Sequence, residues 1–130
     1  MTPFDADSRF APIPASDIAR VIVGTLEHPE KHAGAAYQLH GPIEYSHQQI
    51  SDVLSKTLNK SIHFEQVTVP EFLKLLEMEG DKAKQAHFEA ARIDQQEGLL
   101  AGKDSTGTEI IGQPLMTLPE FILANRSALS

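Results

Sequence analysis

The chain contains no cysteine and no tryptophan, and only two tyrosines. Without cysteine there is no disulfide, no thiolate nucleophile and no cysteine-ligated zinc. Basic residues are scarce: eleven Lys and Arg against eighteen Asp and Glu leave a formal net charge of −7. Phosphate neutralisation needs clustered cations, so this balance argues against a nucleic-acid partner and against an anionic membrane surface. No apolar run approaches the ~20 residues that span a bilayer. The opening segment, MTPFDADSRF, carries acids where a signal peptide would place a basic and then an apolar stretch. What is present is 41% hydrophobic and 22% charged residues over 130 positions. That composition predicts one soluble domain over residues 1–130, expected in the cytoplasm and long enough to bury roughly two-thirds of its unfolded surface.

Helix starts are legible. Ser46 followed by Gln49 makes a capping box, a hydroxyl at the N-cap and an amide three residues on. Thr68-Val69-Pro70-Glu71-Phe72 and Thr117-Leu118-Pro119-Glu120-Phe121 repeat the device, each with a proline in the first turn, where an N–H is unpaired anyway. Their surroundings differ, so they are one physical solution used twice and not a repeat architecture. The pattern predicts helices over 16–27, 46–58, 68–79 and 81–100, and a last one from 117. Strands are expected over 34–40 and 62–67, with a short apolar element at 109–111. The fold class is α+β, mainly helical, with about five helices and two or three short strands. The expected core comprises Ile18, Ile22, Leu26, Leu39, Ile50, Leu54, Ile62, Phe64, Phe72, Leu76, Leu115, Phe121 and Ile122.

Chemistry-bearing clusters are few. His28 and His32 stand four apart, but Pro29 interrupts the helix that would align them, and no acidic partner follows at a telling spacing. His40 and His63 lie on expected strands without the third ligand that catalytic zinc requires. No metal site is expected. Glu77, Glu79 and Asp81 around Gly80 read as a solvated helix end. Gly98-Leu99-Leu100-Ala101-Gly102-Lys103-Asp104 has one residue too few between its glycines for a phosphate loop, and Asp where Ser or Thr should meet magnesium. It reads as a helix end running into a polar loop.

The helix over 16–27 is the segment most informative about association. Ile18, Ala19, Val21, Ile22, Val23 and Leu26 cover well over half its circumference, and such an arc must be covered on more than one side. The strand around Tyr37 would leave an edge, and an unpaired edge is a template for another chain. These residues predict a homodimer whose interface includes Ile18, Val21, Ile22 and Tyr37.

Phe10-Ala11-Pro12-Ile13, Asp17-Ile18-Ala19, Tyr37-Gln38-Leu39-His40-Gly41-Pro42 and Thr117-Leu118-Pro119-Glu120-Phe121 occur in that order across nearly the whole chain. Together they resemble the NmrA-like family of atypical short-chain dehydrogenase/reductase proteins, typified by NAD(P)H-dependent quinone reductases and nitrogen-regulatory redox sensors. The resemblance implies the last part of a Rossmann cofactor sheet plus the smaller C-terminal lobe that lines the substrate cleft. The family's strand–Gly-loop–helix, which carries NAD(P), is expected to be missing, because Met1 stands only a few residues before the match. No GxGxxG or GxxGxxG occurs anywhere, so no tight turn brings a helix N-terminus to a pyrophosphate. The Tyr-x-x-x-Lys pair of ordinary short-chain dehydrogenases is absent too, since Tyr37 leads to Gly41 and Tyr45 to Gln49.

These observations set three expectations. The leading one is a stand-alone lobe acting as a small-molecule or protein-binding module, with no cofactor site of its own and no catalytic residues. Its pocket is expected near His40, Tyr45, Phe72, Phe88 and Ile93, although helical spacing favours a core assignment for Phe72 and Phe88. The second is a truncated piece of an NAD(P)H-dependent reductase or redox sensor that needs a separate Rossmann-type partner. The third is a purely structural or interaction protein.

Overall fold

The computed structural model describes residues 1–129. The chain opens with an irregular segment and then forms β1 (Arg9–Phe10). The helix α1 (Ala15–Glu27) follows Pro14, whose carbonyl accepts from the Asp17 and Ile18 amides at 3.0 and 3.2 Å. Pro29 ends that helix, because the residue before a proline avoids the α region, and itself opens the single turn α2 (Pro29–His32). β2 (Tyr45–Ser46) pairs antiparallel with β1, Arg9 opposite Ser46 and Phe10 opposite Tyr45.

The expected capping boxes all form. Ser46 and Gln49 exchange bonds at the start of α3 (His47–Leu58), which Asn59 ends in the left-handed region. Thr68 and Glu71 do the same for α4 (Val69–Leu75). Asp81 caps α5 (Lys82–Gln96) by accepting from the Lys84 amide at 3.0 Å. The apolar element at 109–111 is part of a short helix, α6 (Thr106–Ile111), and the Thr117–Glu120 box starts α7 (Leu118–Ala124). The helix-rich α+β class stands, with seven helices and one two-stranded sheet among the described residues. α4 stops four residues short of 79, where the Met78 amide turns back to the Leu73 carbonyl.

Both expected strands differ in the structure. Residues 36–40 carry no helix or ladder, and their backbone groups find no backbone partner among the described residues. A strand exists only beside a neighbour, and none lies there. At 62–67 the ladder is replaced: the Ser55 hydroxyl accepts from the Ile62 amide at 3.0 Å and donates to the Ile62 carbonyl at 2.9 Å. Only Gln66 forms a bridge, parallel to Thr2.

The pairs α1–α6, α3–α7 and α4–α5 pack together around Ala11, Val21, Leu58, Val69, Leu73, Leu115 and Ile122. Of the expected core, Leu115 and Ile122 are deeply buried. Ile22, Leu26, Leu76 and Phe121 are instead exposed. In α1 the inward stripe is Asp17, Val21 and Gly24, and it rotates Ile22 and Leu26 away. Gly24 permits that choice: a Cβ there would stand 3.0 Å from Ile110 Cγ2 and 3.2 Å from the Ile110 carbonyl. Gly41 is required even more strictly, since a Cβ would fall 1.8 Å from the Pro12 oxygen while its amide bonds Ala11 at 2.9 Å.

Candidate functional site

The site begins with Asp17, 1% exposed in the first turn of a largely apolar helix. A buried carboxylate persists only when its oxygens are satisfied. Oδ2 accepts from the Met116 amide at 2.6 Å, and Oδ1 accepts from Arg20 Nη1 at 3.0 Å. The same guanidinium donates through Nη2 to Gln113 Oε1 at 2.7 Å. One carboxylate and one arginine of α1 thus hold the strap between α6 and α7 in place.

Fixing that strap creates a pocket. Pro12, Ile13 and Pro14 form one wall, and Met116, Leu118 and Phe121 form the other, around a cavity of about 130 Å³. An apolar cavity of ~150 Å³ is enough to take a benzene ring. At its rim the Glu120 carboxylate accepts from the Thr117 amide and hydroxyl, each at 2.7 Å. The amide and then the hydroxyl hold this carboxyl below its ordinary range, against the opposing effects of desolvation and then of the Asp17 charge. A second carboxylate, Glu44, joins β1 to the loop after α5. It accepts from Arg9 Nε at 2.8 Å and from the Gly102 amide. The Arg9 bond first and the Gly102 bond second lower its pKa.

The expected pocket residues are distributed differently. Phe72 and Phe88 meet edge-to-face, ring centres 5.1 Å apart, between α4 and α5. The His40 ring lies against Gly102, and Tyr45 belongs to β2 opposite Phe10. Ile93 is exposed on α5. None of the five lines the pocket between Pro12 and Phe121. Helical spacing reports which residues share a face, not which faces enclose a space. Of the expected interface, Ile22 and Tyr37 are open, Ile18 is half-buried, and Val21 is only 3% exposed and packs within its own chain. Val23 and Leu26 extend the open face instead.

The histidines are spread among separate contacts. His32 Nδ1 lies 2.8 Å from the Tyr37 hydroxyl, and His63 Nε2 lies 2.9 Å from Ser61 Oγ. Among the described residues no three His, Asp or Glu come together as a metal-binding group. Asp17 carries a structural role beyond its place in the Asp17-Ile18-Ala19 resemblance. Its signal was an acid three residues before Arg20, inside an apolar helix.

Helix N-termini are the usual seats for a dinucleotide's diphosphate. Here they do not fit one. The N-termini of α4, α5 and α7 are occupied by Glu71, Asp81 and Glu120, and that of α3 by the Ser46–Gln49 box. α1 carries Asp17 in its first turn, and the Gly102 amide of the glycine-containing loop is held by Glu44. At α1, α4, α5, α7 and the Gly102 loop an anion would meet a carboxylate, and at α3 the amides are already taken by the Ser46–Gln49 box.

Comparison with known proteins places the architecture. No family model matches the chain, and no curated protein does. Among solved structures, a nucleoside-diphosphate-sugar epimerase from Staphylococcus aureus matches 94% of the chain at 24% identity with a TM-score of 0.77. An NADPH-dependent quinone oxidoreductase from Escherichia coli, complexed with NADPH, matches 95% at 20% identity with a TM-score of 0.75. The fold is shared. It is the fold expected from the NmrA-like resemblance, and the chain spans 42% and 44% of the length of these two proteins. No helix among the described residues is long and apolar enough to cross a membrane.

Proposed function

We propose that this chain is the ligand-binding lobe of an NAD(P)-dependent reductase or epimerase architecture, holding a flat apolar ring and leaving the dinucleotide to a nucleotide-binding half. The observation that carries this reading is the match of nearly the whole chain to less than half of an oxidoreductase that works on quinones with NADPH. The ring-sized pocket between Pro12–Pro14 and α7 supports the ligand class, because its walls offer dispersion contacts and few polar groups. The capped helix ends support the absence of a dinucleotide site on this lobe.

A nucleotide-binding half has surfaces to occupy: the open α1 face of Ile22, Val23 and Leu26, and the unpaired backbone of residues 36–40. In the isolated lobe a second copy covers the same face, which gives a homodimer. The unpaired edge favours this second reading, because two extended segments can satisfy each other's amides and carbonyls. Titration decides the main proposal. The isolated chain should not bind NADPH at micromolar concentrations, whereas the quinone menadione should shift the amide resonances of Met116 and Phe121. NADPH binding, or a menadione response confined to other residues, would sink it.

A further inference from the structure

A second cleft lies on another part of the molecule. It is about 600 Å³ in volume and runs between residues 5–9 and the end of α5. Its lining includes Gln95, a residue only 8% exposed. A buried amide needs a reason to hold one orientation, and His47 supplies it. The ring of His47 is stacked on Phe4 at 5.3 Å, with Phe10 at 5.1 Å and Phe64 at 6.4 Å around it. With the ring so held, Nε2 reaches Gln95 Oε1 at 2.7 Å. The oxygen being an acceptor, the imidazole nitrogen must donate.

That bond leaves the Gln95 amide nitrogen. It has no partner among the described residues, and no fully buried side-chain polar atom there lacks one, so the NH₂ group keeps access to solvent on a residue that lines the cleft. Around it stand further unused groups. Gln96 gives its oxygen to Arg92 Nη1 at 2.9 Å and keeps its NH₂. Arg9 uses Nε on Glu44 and keeps both terminal nitrogens. Asp5 accepts from Gln66 with one oxygen at 2.7 Å, and Asp7 is exposed with both oxygens open. The cleft therefore combines amide and guanidinium donors with carboxylate acceptors in its lining.

We infer that this cleft is a binding site for a neutral polyhydroxylated compound of monosaccharide size. A hydroxyl accepts from an amide N–H and donates to a carboxylate at once, so it satisfies both kinds of group. An anion satisfies only the donors and meets two carboxylates, while the Arg9 charge is already shared with Glu44. The site stands apart from the ring pocket and does not rest on it. The test uses the isotopically labelled full chain and follows the Gln95 side-chain NH₂ resonance. Glucose, galactose and myo-inositol serve as probes, with inorganic phosphate and an ammonium salt as contrasts. At least one polyol should move this resonance and the Gly98 and Ala101 amides in a saturable way, and neither ion should. Asp7→Asn, on an exposed side chain, should weaken that polyol about tenfold. Gln95→Leu, which removes that reporter, should abolish the response at the Gly98 and Ala101 amides. The assignment is overturned if no polyol saturates these signals, if phosphate or ammonium does so instead, or if the polyol binds Asp7→Asn unchanged.

Discussion

Asp17 shows what one side chain can decide. It settles which face of α1 turns inward and where the strap before α7 rests. Asp17→Ala leaves the Met116 amide without its acceptor and Arg20 without its partner, and should cost about 2–3 kcal/mol in denaturant unfolding. Asp17→Asn keeps one acceptor and should recover part of that loss. Gly41→Ala should be comparably damaging, at about 3 kcal/mol, because the added carbon meets the Pro12 backbone and not a mobile side chain. The two capping glutamates predict a pH dependence. Glu71, through the Thr68 hydroxyl and then its amide, and Glu120, through the Thr117 amide and then its hydroxyl, both have folded pKa values below the ordinary carboxylate value. A lowered folded pKa means that the unfolded chain binds more protons. Their contribution is therefore present above the unfolded value and is lost as pH falls through the folded one. A Glu71→Gln, Glu120→Gln variant should show a shallower loss of melting temperature on acidification.

At the scale of elements, the helix starts were the most readable part of the chain. A hydroxyl and a Glu or Gln three residues later bond within one turn, so Ser46, Thr68 and Thr117 act without help from the rest of the molecule. The strands were not readable in this way. Tyr37–Leu39 has the composition of a strand, yet a ladder depends on a neighbour that no local pattern can supply. The open side of α1 invites the next prediction. On the proposed pairing through this face, Ile22→Glu and Leu26→Glu should leave only monomer in light scattering with little change in melting temperature, since both side chains are exposed. Val21→Glu should instead unfold the lobe, because that residue lies inside. If Ile22→Glu leaves the particle size unchanged, the α1 face is not where copies meet.

For the whole molecule, local chemistry in the sequence determined the helix-rich class, the three capping boxes and the lack of a glycine loop to cradle a diphosphate, because each depends on residues a few positions apart. Tertiary structure alone decided the sites. The ring-sized pocket joins Pro12 to Phe121, and the polar cleft joins Asp7 to Gln95, so neither spacing carries a periodic signal. It also chose among the apolar sides of α1, where Ile22 and Val21 are both strongly apolar. The tie was broken by the Asp17 hydrogen bond to Met116 and by the room Gly24 leaves for Ile110, both set by segments remote in the chain.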